Sequence, residues 1–161
     1  MRGLAGPAAT ILRPSASGYR IIALSNAAAV LEGVTIRDGT VGGAYMLAGL
    51  MTNCLVVNNF AGQVRGCGIN MDGGTVVSCV LSNNSQTDPT WGPGGGVYLN
   101  AGTVRECRIV NNTIGGGGLG GYGVGAGAGA IMRAGLIQNC VIAGNGNITA
   151  DPLFTDVPAA N

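Results

Sequence analysis

Four cysteines recur at the same place in four similar segments of the chain. Cys54, Cys79, Cys107 and Cys140 follow one another at intervals of 25, 28 and 33 residues. Such a series allows disulfide formation, metal binding or the packing of free thiols as small apolar side chains. Stacked parallel side chains point the same way, so their Cβ atoms do not converge as a disulfide requires. The pattern favours a column of buried thiols, and the other two interpretations stay open.

The acidic residues offer little basis for catalysis. The chain has no histidine, which is the commonest general base and metal ligand, and seven acidic residues. Glu32 and Glu106 fall in one column of the repeat, but three coils, or roughly 15 Å, separate them. A glycoside hydrolase needs two carboxylates about 5–10 Å apart. We therefore predict no catalytic residue, no metal, no cofactor and no enzymatic activity.

Four aromatic residues are the candidate ligand contacts. Trp91 and Tyr122 fall in predicted loops, whereas Tyr45 and Tyr98 share one column of the repeat. Aromatic side chains on a rigid scaffold can stack on sugar rings, and loops over such a scaffold often carry function. For Trp91 the alternative is local packing at the edge of a coil.

Composition excludes several classes of partner. Glycine supplies 31 of 161 residues, and only 9% of residues are charged. The eight basic residues are all arginines and are scattered from Arg2 to Arg133, whereas nucleic-acid binding needs them clustered. The uncharged stretch 109–132 is so rich in glycine that we interpret it as a loop rather than a membrane span. No signal peptide is recognisable at the N-terminus.

Internal repeats predict the fold. Residues 49–60, 74–85, 102–113 and 135–146 align without gaps, and a weaker copy at 28–39 places Gly33 where the others carry cysteine. The apolar runs are short, rich in Val and Ile, and bounded by Gly or Asn, which indicates strands. Repeats of this length indicate a solenoid. We predict an all-β, right-handed parallel β-helix of about five coils, forming a single domain over residues 1–161.

The same alignment predicts which residues stack. Two inward columns are expected: Val30, Met51, Val76, Val104, Ile137, and Thr35, Val56, Leu81, Ile109, Ile142. An outward column is expected at Val34, Leu55, Val80, Arg108 and Val141. Asn59, Asn84, Asn112 and Asn145 should form an Asn ladder at a turn. Lateral loops are predicted at residues 60–65, 85–93 and 113–126, and a C-terminal tail at 147–161.

Segments 6–12, 19–39, 94–113 and 147–154, in that order, resemble bacterial right-handed parallel β-helix surface proteins of the pectate-lyase-like and autotransporter-passenger-like group. The resemblance implies a secreted or cell-surface location and a role as an adhesin or carbohydrate-contacting stalk. The partners it implies are carbohydrate or another surface protein. Members of the group usually extend further at both ends, which predicts that this chain is a fragment of a longer surface protein. An uncapped first coil would then invite end-to-end or edge self-association.

The function predicted from the sequence is a non-catalytic β-solenoid scaffold or adhesin-like binding segment of a secreted or surface protein. The alternative is a carbohydrate-active β-helix, similar to a polysaccharide lyase or hydrolase, that acts on acidic or neutral polysaccharide. The two differ in whether acids and arginines cluster on one face of the coils.

Overall fold

A computed structural model describes residues 1–15, 18–62, 64–86, 94–114 and 128–145. These residues form parallel strands that stack in register from coil to coil, in four sheets. Sheet 1 contains β2 (Ile22–Leu24), β5 (Ala44–Met46), β9 (Ile69–Met71), β13 (Val97–Leu99) and β17 (Ala130–Met132). Sheet 2 contains β3 (Val30–Glu32), β6 (Leu50–Thr52), β10 (Thr75–Val77), β14 (Thr103–Arg105) and β18 (Leu136–Gln138).

The other two sheets complete each coil. Sheet 3 contains β1 (Ile11–Leu12), β4 (Thr35–Arg37), β7 (Leu55–Val57), β11 (Val80–Ser82), β15 (Arg108–Val110) and β19 (Val141–Ala143). Sheet 4 contains β8 (Phe60–Ala61), β12 (Ser85–Gln86) and β16 (Thr113–Ile114). The predicted parallel β-helix is thus confirmed, and the strands of sheet 4 occupy the first two positions of each predicted lateral loop. Residues 87–93, 115–127 and the predicted tail 147–161 lie outside the described residues.

Three corners of the coil are stacked columns of residues with positive φ. Gly49, Gly74, Gly102 and Gly135 turn the chain from sheet 1 to sheet 2. Asn53, Ser78, Glu106 and Asn139 turn it from sheet 2 to sheet 3, and Asn58, Asn83 and Asn111 turn it from sheet 3 to sheet 4. Glycine and asparagine tolerate this left-handed conformation better than other residues. The corners explain why these two residue types recur throughout the repeat.

The first coil is shifted by one residue from the predicted alignment. Val30 pairs with Leu50 and Leu31 with Met51, so Leu31 is buried in the core while Val30 is exposed. Gly33 has a φ of 66° and occupies the corner column, not the cysteine column. The predictions for Val30, Thr35 and Val34 were therefore wrong. Leu31 and Ile36 belong to the inward columns, Thr35 to the outward column, and the buried Val34 stacks on Cys54.

The cysteine column lies in the core, and all five cysteines of the chain are free. The backbone N–H groups of Cys54, Cys79 and Cys107 each donate to the sulfur of the next cysteine at 3.4, 3.5 and 3.4 Å. Hydrogen bonding with the thiols of Cys107 and Cys54, together with burial, raises the pKa of Cys79 above its ordinary value. The stacked cysteines therefore form no disulfide with one another, and three of the four are buried thiols.

The Asn ladder is present and its amides pack against glycines. Asn84 donates from Nδ2 to the Oδ1 of Asn112 at 2.9 Å and accepts from Nδ2 of Asn59 at 3.0 Å. The ladder faces the start of sheet 1, where a Cβ on any of four glycines would come within 3.0 Å of an Asn amide nitrogen. These glycines are Gly43, Gly68, Gly96 and Gly129. A side chain at these positions would displace the ladder.

The N-terminal segment caps much of the first coil. The amino group of Met1 donates to the carbonyl of Val30 at 2.6 Å, and Arg2 forms a parallel bridge with Glu32. Strand β1 pairs with β4, and the hydroxyl of Thr35 donates to the carbonyl of Pro7 at 2.6 Å. The expected open first coil is therefore covered along sheets 2 and 3. Strand β2 lies at the edge of sheet 1.

Candidate functional site

The outward column of sheet 1 carries the two tyrosines that the sequence singled out. Tyr45 pairs with Asn70, and Asn70 pairs with Tyr98, so one asparagine separates the two rings along the stack. Strands of three residues place their middle side chain outward here, while the flanking residues Met46, Met71 and Leu99 fill the core. The predicted tyrosine column is confirmed, and its other members are Ala23 and Ile131.

A hydrogen-bonded cluster forms beside this column. The hydroxyl of Tyr45 donates to Oδ2 of Asp72 at 2.7 Å, and Nδ2 of Asn100 donates to Oδ1 of Asp72 at 3.2 Å. The hydrogen bond to Asp72, with desolvation, raises the pKa of Tyr45 above its ordinary value. Tyr45 therefore remains a protonated donor at neutral pH. We call Tyr45, Asn70, Asp72 and Asn100 the polar face.

Tyr98 differs from Tyr45 in its exposure. Only 1% of its surface is exposed, and the guanidinium carbon of Arg65 lies over its ring, 5.2 Å from the centroid. Such cation–π contacts contribute about 0.5–2 kcal/mol, depending on desolvation. Tyr98 is thus packed under Arg65 and does not present a free ring to solvent. Tyr45 is partly exposed and is the ring on this column that a ligand can reach.

Arg20 holds the segment that covers Tyr98. Its Nη1 donates to the carbonyls of Ala44 and Gly66 at 2.9 and 2.8 Å, and its Nη2 donates to the carbonyl of Arg65. Burial lowers the pKa of Arg20 to about 10, which leaves it charged at neutral pH. Burial also raises the pKa of the nearby Cys67 thiol to about 12. Arg20 therefore acts as a structural clamp, and Cys67 stays a thiol.

Asn70 carries an unusual polar atom. Within the described part of the chain, its Oδ1 is buried and has no hydrogen-bond partner. A buried group of this kind costs about 1–3 kcal/mol. We expect Asn70→Val to leave the free energy of unfolding unchanged or to raise it by about 1 kcal/mol, measured by urea denaturation. A loss of more than about 1 kcal/mol would contradict this assignment.

Each carboxylate in the described residues has a partner. Glu32 pairs with Arg2 at 2.7 Å, and Glu106 pairs with Arg105 at 2.6 Å. Asp38 lies 3.0 Å from Arg37 and 3.2 Å from Arg13. Asp72 instead accepts from the neutral donors of the polar face.

In the described ranges, no group of three or more histidine, cysteine or acidic side chains converges as a metal site would. No helix there is long and apolar enough to cross a membrane.

The structure brings together some of the predicted contacts but not all. Tyr45 and Tyr98 share a column, whereas Trp91 and Tyr122 lie outside the described residues. The register places Asp72 and Asn100 at equivalent positions of neighbouring coils. The sequence analysis did not predict the hydrogen bond between Tyr45 and Asp72, because the two residues occupy different positions in neighbouring coils. A search for donors within one coil of each carboxylate could have found it.

The fold and the polar face together define a parallel β-helix with an aromatic and amide-lined outer surface. Comparison with known proteins adds no relative: no family model, no curated protein and no solved structure matches the chain.

Proposed function

We propose that the chain is a non-catalytic β-solenoid segment of a secreted or cell-surface protein and that its polar face binds carbohydrate. The observation that carries the proposal is the Asp72 carboxylate, held by Tyr45 and Asn100 beside a partly exposed ring. Sugars present hydroxyl groups around an apolar ring face. A carboxylate, an amide and an aromatic ring in one place can bond to the hydroxyls and pack against that ring face.

Rigidity supports the same proposal. Tyr45 and Asn70 lie in strands that pair with a neighbouring strand on both sides, and Asp72 and Asn100 directly follow such strands. Groups held in place before binding lose little conformational entropy when a ligand arrives. A stacked β-helix also repeats its columns, so a polymer lying along the stack would meet successive side chains. This arrangement suits a polysaccharide better than a small solute.

The surroundings of the carboxylates favour binding over cleavage. Hydrolysis by two carboxylates requires them about 5–10 Å apart with unequal pKa values. Asp72 has neutral partners, and the other three described carboxylates are paired with arginine at other places on the coil. The proposed location rests on the resemblance of the repeats to those of bacterial surface proteins. Another surface protein remains the second class of partner to test.

A glycan array screened with the purified chain tests the proposal. We expect binding to a polysaccharide and expect Tyr45→Ala and Asp72→Asn to weaken it about tenfold or more, because each removes a hydrogen bond involving a charged group. Tyr19→Ala and Glu106→Gln are matched controls, since they remove the same chemical groups from exposed positions away from the polar face. These controls should bind like the unchanged chain.

A cleavage screen on uronate and neutral polysaccharides completes the test. Release of reducing ends or unsaturated products would contradict the non-catalytic proposal. Binding that is lost in Trp91→Ala but kept in both polar-face variants would move the site to the loop around residue 91. The absence of binding to any glycan would contradict carbohydrate as the ligand class.

A further inference from the structure

A small cavity lies where the chain passes from β1 to β2. Its volume is about 140 Å³, and the residues that line it are Arg13, Pro14, Ser15, Tyr19, Arg20 and Ile21. One water molecule needs roughly 10–15 Å³, so a larger group fits. Arg13 and Tyr19 are both exposed, so the cavity can be reached from solvent. None of the lining residues belongs to the polar face.

Arg20 brings an uncompensated positive charge to this cavity. Its three carbonyl partners are neutral, and no acidic side chain of the described residues pairs with it. A partly buried charge without a counter-ion is costly. A guanidinium has five N–H donors, and the three carbonyl bonds leave two of them for a ligand.

Arg13 adds a second charge to the lining. Its Nε lies 3.2 Å from Oδ2 of Asp38, and Nε of Arg37 lies 3.0 Å from the same oxygen. One carboxylate therefore faces two guanidinium groups. The terminal nitrogens of Arg13 have no hydrogen-bond partner in the part of the chain that the structure describes. Together with Arg20, this group carries three positive charges against one negative charge.

We propose that the cavity binds a phosphate or sulfate group, whose oxygens accept hydrogen bonds from Arg13 and Arg20. The planar guanidinium fork matches the spacing of oxygens on such a group, and hydrogen bonds between two charged partners are the strong ones. A tetrahedral oxyanion offers oxygens to donors that approach from two different residues, which a planar carboxylate does less well. Its charge of up to two also balances the local excess of two positive charges. The group binds either as a free ion or as a substituent of a larger molecule.

Calorimetric titration with inorganic phosphate and with sulfate tests the proposal, with ionic strength held constant by sodium chloride. We expect one site per chain. Arg13→Gln should weaken binding about tenfold or more, because it removes a charged donor. Arg37 still pairs with Asp38 in this variant, so the fold should be kept. Arg108→Gln is the matched control, since it removes the same group from an exposed position on sheet 3 and should bind like the unchanged chain.

Glucose 6-phosphate distinguishes the two sources of the anion. Tighter binding of glucose 6-phosphate than of inorganic phosphate would identify a phosphorylated molecule as the ligand, and equal affinity would identify the free ion. Arg13→Gln should weaken both. Arg20→Gln also removes the structural clamp, so Arg13→Gln decides the question. The proposal is overturned if none of the three anions binds, if sodium chloride alone reproduces the response, or if Arg13→Gln binds like Arg108→Gln.

Discussion

Gly96→Ala is expected to lower the free energy of unfolding by about 3 kcal/mol. A Cβ at this position would lie 2.4 Å from the carbonyl oxygen of Gly129, 2.8 Å from Cγ2 of Ile109 and 2.9 Å from Nδ2 of Asn112. The first atom is backbone in the next coil, and the third belongs to the Asn ladder. Relief would require the coil to move away from its neighbour, which weakens the strand pairing on both sides. Urea denaturation followed by circular dichroism measures the change.

Gly62→Ala is the matched control for that prediction. Gly62 has no positive φ, and a Cβ there would meet no atom within 4 Å. The same added methyl group should change the free energy of unfolding by less than about 0.5 kcal/mol. If Gly96→Ala were as mild as Gly62→Ala, the close packing of glycines against the Asn ladder would be refuted.

Asn84→Val is expected to be the most damaging change in the ladder, with a loss of about 4 kcal/mol. Nδ2 of Asn84 donates to the carbonyl of Val56 and to Oδ1 of Asn112, both at 2.9 Å. Its Oδ1 accepts from the backbone N–H and from Nδ2 of Asn59, both at 3.0 Å. Asn84 is fully buried, so water cannot replace these bonds without opening the coil.

Comparison with Asn70→Val shows whether lost hydrogen bonds cause the destabilisation by Asn84→Val, because the two variants make the same chemical change. Asn84 is fully bonded, whereas Oδ1 of Asn70 has no partner in the described residues. Chemical denaturation should show a large loss for Asn84→Val and none for Asn70→Val. Similar losses at both positions would mean that side-chain volume, and not hydrogen bonding, governs these sites.

Much of the fold could be predicted because residues at equivalent positions of the repeat stack on one another. Cysteine, asparagine and glycine recur in one order in the last four copies, and equivalent residues do pair in the structure. The weak first copy was misaligned by one residue. The alignment placed Gly33 in the cysteine column, whereas its positive φ places it in the corner column with Asn53. Backbone conformation defines that position, and a single weak copy does not reveal it.

The candidate site was less predictable. The sequence predicted that Tyr45 and Tyr98 share one column, because they occupy equivalent positions of the repeat. The burial of Tyr98 did not, because it depends on Arg65 and on the clamp formed by Arg20 from a different coil. The bond between Tyr45 and Asp72 likewise crosses from one coil to the next.

The sequence by itself determined the coil, the corners and the ladders, because these depend on local conformational preference and on a repeat that pairs with itself. Only the tertiary structure decided which polar groups meet between coils and which column faces which. The glycines at the start of sheet 1 illustrate the difference. Their recurrence is visible in the sequence, but its cause lies across the core, where the Asn ladder leaves no room for a Cβ. Contacts between residues far apart in the chain depend on the diameter and register of the whole coil, which no single segment encodes.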